Sequence, residues 1–281
     1  MANVNIKFNG KEFLLSCDDG QEEHLEELSL YLNNKFNDLK DSLHEKILGL
    51  EWMSEETKKK AVLKLNSFRV KIGYPDKWRD YSELDCKEDD SYIDCIFKCR
   101  EFEIKWEFLQ LDLPVDREKW EMNPQEINAY YHPLMNEIVF PAGILQAPFF
   151  DGNQDDAYNY GAIGAIIGHE MTHGFDDQGR KFDSHGNMVN WWTDEDAEEY
   201  TKRTNVIRDQ YAAYEVEGEK VNGELTLGEN IADIGGVLIA YHAFSMRKEL
   251  DGTSRDNFSK TSDKKIQSEE EKFFLAWGRA W

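Results

Sequence analysis

Apolar and polar positions alternate at the start of the chain, with Val4, Ile6 and Phe8 in one run and Phe13, Leu15 and Cys17 in the next. A period of two puts alternate side chains on one face of a strand. Asn9-Gly10 stands between the runs and suits the positive φ angles of a two-residue hairpin turn, so the segment predicts a β-hairpin. Asp18-Asp19-Gly20 ends the second strand and offers a helix cap. The period then lengthens. Leu25, Leu28, Leu32, Phe36, Leu39 and Leu43 recur at steps of three and four, which is the seam of an amphipathic helix. Such a seam serves a helix packed on its own chain as well as one paired with a partner.

Near Ile47 the pattern changes. Residues 51–65 predict a helix, 70–74 a short strand broken by Gly73 and Pro75, and 91–110 a long charged helix. Residues 125–140 predict two short strands, INAYY and EIVF, around a turn. Residues 158–175 predict a helix of Gly, Ala and Ile. Residues 194–214 predict an amphipathic charged helix, and 226–248 a helix that turns apolar after LGEN. Residues 251–272 are polar and read as a mobile loop before the apolar FFLAWGRAW. There is no internal repeat. The expectation is an α+β chain, mainly helical, in two parts: a hairpin and helix over 1–46, and a larger region over 47–281.

Composition narrows the function. A net charge of −23 repels phosphate backbones and anionic lipid, so nucleic acid is not an expected partner. With 40% hydrophobic residues and eight Trp among 281, the chain is too apolar for disorder, and no apolar run reaches membrane-spanning length. The first twenty residues show no secretory signal. Of four cysteines, Cys95 and Cys99 are spaced to share a helix face, as a soft metal site or a disulfide would require. Free thiols in a reducing compartment are the more economical reading, and with the missing signal they point to the cytoplasm.

The sharpest chemistry lies in IIGHEMTHGFDD, residues 166–177. His169 and His173 are four apart, hence stacked on one helix face and able to chelate one Zn²⁺. Glu170 can reach a water at that ion without ligating it. By composition alone HExxH arises in roughly 2% of such chains, so it needs support. The preceding GAIGAIIG supplies some, because small residues allow close helix packing in an interior. More comes from GELTLGENIADIGG, residues 223–236, where Glu229 and Asp233 are again four apart in an apolar helix. Carboxylates on a buried helix are costly unless a cation or donors receive them. A zinc held by the two histidines would receive Glu229, and Asp233 could accept the outer N–H of a ligating imidazole. The alternative is an ordinary exposed acidic face.

Residues 47–281 resemble the catalytic region of the neprilysin and endothelin-converting-enzyme family, which includes bacterial PepO. The resemblance is carried by RVKIGYPDKWRDY (69–81), MNPQEINAYYHPLMNEIVFPAGILQAPFF (122–150), NYGAIGAIIGHEMTHGFDDQGRKFD (159–183), NWWT (190–193) and VNGELTLGENIADIGG (221–236). It implies a zincin-like, thermolysin-like catalytic fold with one Zn²⁺ per chain, held by His169, His173 and Glu229. It further implies Glu170 as general base, Asp233 as the residue that orients a ligand, and Asn128 and Ala129 as the groups that bind a peptide substrate as an added strand.

Residues 3–36, NVNIKFNGKEFLLSCDDGQEEHLEELSLYLNNKF, resemble the start of ZapA, a bacterial division-ring accessory family in which a coiled-coil helix drives self-association. The peptidase family also has a helical lid, and beyond the position of Trp281 a His and an Arg that serve catalysis. The expectation is therefore a zinc metalloendopeptidase region incomplete at both ends. Two rivals stand beside it: a zinc-binding fragment with weak or no turnover, and a ZapA-like interaction module.

Overall fold

The computed structural model describes residues 2–8, 11–17, 22–250 and 268–281. The predicted turn at Asn9-Gly10, the cap at Asp18-Asp19-Gly20 and residues 251–267 of the predicted loop lie outside the described residues. Strands β1 (Ala2–Phe8) and β2 (Lys11–Cys17) pair antiparallel with Phe8 opposite Lys11, the register expected of a two-residue connection. Helix α1 (Glu22–Leu48) carries the apolar seam on to Ile47.

Helix α2 (Glu55–Asn66) begins later than the apolar pattern predicts, because Ser54 caps it by accepting the Thr57 N–H. Strand β3 (Arg69–Gly73) follows, then helix α3 (Tyr92–Gln110), opened by a capping box between Ser91 and Asp94. Strand β4 (Tyr130–His132) begins three residues later than INAYY predicts, whereas β5 (Glu137–Pro141) stands where EIVF predicts it. The helix predicted over 158–175 is three pieces: α4 (Asp156–Asn159), a π-helical turn Tyr160–Gly164, and α5 (Ala165–His173).

Helix α6 (Asp194–Ala212) is capped by Thr193. A small hairpin of β6 (Glu215–Val216) and β7 (Glu219–Lys220) leads to α7 (Leu227–Leu250). Helix α8 (Glu269–Ala280) corrects the predicted loop at its end: Ser268 and Glu271 form a capping box, so 268–272 start a helix. None of the described helices is long and apolar enough to cross a membrane.

The chain forms two compact units, residues 75–123 and the remainder. Within 75–123 the Arg79 guanidinium lies 4.0 Å from the Trp106 ring and pairs with Glu103 at 2.5 Å. Cys86, Cys95 and Cys99 are free, and Cys95 hydrogen-bonds the Cys86 thiol.

In the larger unit the sheet order is β3-β5-β4, with β3 and β5 parallel and β4 antiparallel at the edge. Every residue of β5 is buried, as a central strand covered on both faces requires. Phe36, Leu39, Leu43 and Ile47 of α1 enter one apolar core with Ile239, Ala240, Ala243 and Phe244 of α7. Ser42 ties the two helices by donating to the Ile239 carbonyl at 2.8 Å.

The N-termini of α2 and α6 are joined by a buried carboxylate. Asp196 accepts from the Ser54 N–H at 3.0 Å and the Ser54 hydroxyl at 2.5 Å. Burial pushes its carboxyl up, but hydrogen bonds from Ser54, Thr57 and Thr193 outweigh that and hold it below the usual range. A carboxylate with a depressed folded pKa stabilises above its unfolded value and loses that contribution as pH falls through the folded one. Asp196→Asn is thus expected to cost about 1.5–3 kcal/mol at neutral pH. The gap between parent and variant should start to narrow below about pH 4 and close as pH falls through the lower folded value; urea unfolding at neutral and acid pH checks this.

Candidate metal centre

Helices α5 and α7 cross where neither can carry a side chain. A Cβ on Gly168 would lie 2.8 Å from the Gly236 carbonyl oxygen, and one on Gly236 would lie 2.6 Å from the Ala165 oxygen and 2.7 Å from the His169 nitrogen. This backbone-to-backbone contact is the use of the small residues in GAIGAIIG and ADIGG. It lays the first turns of α7 over the last turns of α5, so that residues sixty apart in sequence face one another.

At that crossing three donor atoms converge. His169 Nε2 and His173 Nε2 are 2.9 Å apart, and Glu229 Oε2 is 3.3 Å from the first and 3.4 Å from the second. Four ligands around an ion at 2.0–2.1 Å stand about 3.3 Å apart, so the triangle has the size a tetrahedral Zn²⁺ requires. Among the described residues these three form the one group of His, Cys, Asp or Glu close enough to share an ion. The outer nitrogens are held too: His169 Nδ1 is 2.8 Å from Asp233 Oδ1, and His173 Nδ1 is 2.7 Å from Asp176 Oδ2. Both rings therefore turn Nε2 inward, and the carboxylates raise their basicity.

The charges report the same demand. Burial pulls the His169 imidazole down, yet hydrogen bonds to Asp233 and Glu229 raise it to about 9. His173 rises to about 10, with burial opposed by Asp176 and Glu229. The two imidazoles hold Glu229 far below the ordinary carboxylate range. Two imidazolium N–H groups cannot point at each other across 2.9 Å, so both rings cannot be satisfied by their own protons. One dication at the centre meets all three donors, and the donor set of two imidazoles and a carboxylate suits zinc.

Burial does not explain Glu229, contrary to the sequence argument: its side chain is 67% exposed and opens on a cleft of about 610 Å³. What offsets its charge is the imidazole pair. Glu170 is buried beside the triangle and is not part of it. Burial is the largest influence on its carboxyl, which rises to about 7 while the Tyr131 main chain hydrogen-bonds it. Such basicity suits a general base near neutral pH.

Asn128 and Ala129 line the same cleft, next to the edge strand β4. Asn128 Oδ1 accepts from the Ala129 N–H at 2.9 Å, so that donor is already engaged within the chain. Trp281 forms part of the wall, its ring 5.4 Å from that of His169.

Asp176 escaped the sequence reading although it stands three residues after His173 in HGFDD, close enough on the chain to reach that imidazole. His242, by contrast, packs between helices at 3.0 Å from Ser42 Oγ, and His185 is exposed beside Ser184. Neither lines the cleft.

Peptidase family M13 matches the chain over residues 128–281, and its N-terminal region matches over 26–75. An endothelin-converting enzyme homolog of Locusta migratoria is 39% identical over 254 residues, covering 88% of this chain and 34% of the homolog. Human endothelin-converting enzyme 1 is 40% identical over 252 residues, covering 87% of this chain and 32% of the enzyme. The chain thus spans about a third of the length of these curated relatives. Among solved structures, the inhibitor complex of Mycobacterium tuberculosis zinc metalloprotease ZMP1 superposes with a TM-score of 0.81 at 42% identity, over 89% of this chain and 38% of that one. PepO of Lactobacillus rhamnosis gives 0.77 at 33% identity, over 90% and 38%. The mainly helical fold is the thermolysin-like zincin fold of these metalloproteases.

Proposed function

The chain belongs to peptidase family M13, and on that premise we propose that it is a zinc metalloendopeptidase catalytic region acting on peptides. The observation that carries the reading is the convergence of three donors from two helices, each imidazole backed by its own carboxylate. His169, His173 and Glu229 would hold the ion. When bound, zinc supplies Lewis acidity, making a water more acidic and polarising the scissile carbonyl. Asp233 and Asp176 keep the imidazoles in the tautomer that ligates. Glu170 accepts a proton from the attacking water and delivers it to the departing amine. The open edge of β4, with Asn128 and Ala129, receives the peptide backbone as an added strand, and main-chain hydrogen bonds hold it in register.

The test is direct. Purified chain should contain one zinc and cleave a short peptide; a chelator should stop cleavage, and added zinc should restore it. Zinc present without cleavage would favour the rival of a metal-binding fragment without turnover. No zinc at all would defeat both.

The ZapA resemblance over residues 3–36 supports at most a proposal about the hairpin and the first turns of α1. Residues 26–75 are matched by the peptidase family, and Phe36, Leu39 and Leu43 are buried within their own core, so no partner helix is assigned to that seam.

A further inference from the structure

Lys64 belongs to α2, a helix that contributes no group to the donor triangle, yet it is fully buried at 0% exposure. Its ammonium donates to the Gly179 carbonyl at 2.6 Å and the Phe182 carbonyl at 2.7 Å. The rings of Tyr131, Phe175 and Trp191 surround it at 5.7–5.9 Å. A charge in such a place is expensive, and burial drives its basicity down to about 7 against the opposing pull of Asp176 and Asp183.

Both acceptors lie on the short turn that follows α5. Gly179 is gripped on its other side: its N–H donates to Asp176 Oδ1 at 2.6 Å, alongside the Gln178 N–H at 2.8 Å. The remaining oxygen of Asp176 holds His173. Gly179 also lies so close on the His173 main chain that a Cβ there would sit 1.8 Å from the His173 carbonyl oxygen. Lys64, Gly179, Asp176 and His173 are thus linked in one continuous run of hydrogen bonds and contact.

We propose that Lys64 is a positioning residue for the metal: by holding the turn at Gly179 and Phe182 it fixes Asp176, and through Asp176 the direction of the His173 imidazole. Retention of zinc then depends on a lysine that touches none of the three ligands. The inference rests on the zinc reading of the site.

The test compares the full chain with Lys64→Met, Lys64→Arg, Asp176→Asn and the Lys64→Met/Asp176→Asn double variant. Zinc affinity is measured by competition with a chelator. The visible spectrum of the Co²⁺ form reports ligand geometry, and unfolding of the metal-free chain reports structure alone.

Lys64→Met is expected to weaken zinc binding about 10- to 100-fold and to alter the Co²⁺ spectrum, as loss of a ligand's outer partner does. Asp176→Asn should do the same, and the double variant should be little worse than either single one, because both act on one path. Lys64→Arg, which keeps the charge and its donors, should recover most of the affinity.

Unchanged zinc affinity in folded Lys64→Met, or losses that simply add in the double variant, would overturn the proposal. Should Lys64→Met not fold, Lys64→Gln takes its place in the cycle, and failure of both to fold even with zinc present assigns Lys64 to the fold and overturns it as well. A parent chain that binds no zinc sinks the reading of the site itself, whereas a zinc-binding parent with indifferent Lys64 variants sinks only this inference.

Discussion

Glu170→Gln should keep its zinc and lose its turnover. Glu170 is buried beside the donor triangle without entering it, so the amide leaves the three ligands and their carboxylate partners in place. What disappears is the group that takes the proton from water and returns it to the amine. General acid–base groups contribute about 10²–10⁴ in rate, or roughly 3–5 kcal/mol of barrier, and kcat should fall by that factor with zinc content unchanged. The amide can still accept from the Tyr131 main chain, which guards the local structure. Metal analysis beside a peptide-cleavage assay reads both halves. Retained cleavage would remove Glu170 from the mechanism, and lost zinc would mean that its charge, rather than its chemistry, is what the site requires.

The second large effect is expected from Glu229→Ala, which should abolish zinc binding while leaving the metal-free chain folded, less only the ion pairing of Glu229 with the two imidazoles. Glu229 is well suited to this test because its side chain is largely exposed, so truncation opens no core cavity. The buried His169 would confuse loss of metal with loss of packing. A ligand that binds only the native state stabilises it by about 2.7 kcal/mol at a hundredfold excess over its dissociation constant, and about 4.1 kcal/mol at a thousandfold. The parent should therefore gain a clear shift in thermal unfolding with zinc and lose it with chelator, and Glu229→Ala should show neither. A zinc-dependent shift that survives the substitution would place the third ligand elsewhere.

Much of this site was legible because its signals are local. His169 and His173, like Glu229 and Asp233, are spaced by one helical turn, and the pattern of each helix is set by its own residues. The strand EIVF was legible for the same reason, and of INAYY the last two residues. The helix opened by the capping box at Ser268 and Glu271 was not legible, because the polar composition of 251–272 reads as a loop. Asp176 carries a local signal as well, standing three residues past His173 within reach of that imidazole.

Lys64 is of another kind. Its acceptors are 115 and 118 residues away, and nothing in KKKAVLKLN separates it from Lys59 and Lys60, which are exposed. The exposure of Glu229 was equally hidden, because it depends on which side of α7 the cleft opens.

By itself the sequence determined which residue types could bind a metal and that each pair would share a helix face, since hydrogen bonding within a helix sets that spacing whatever lies around it. Only the tertiary structure decided that the two faces meet, because the meeting depends on two backbones touching at Gly168 and Gly236, and on a buried ammonium drawn across the fold to a turn it never adjoins in sequence. Contacts of that kind come from packing of surfaces far apart along the chain, and no periodicity encodes them.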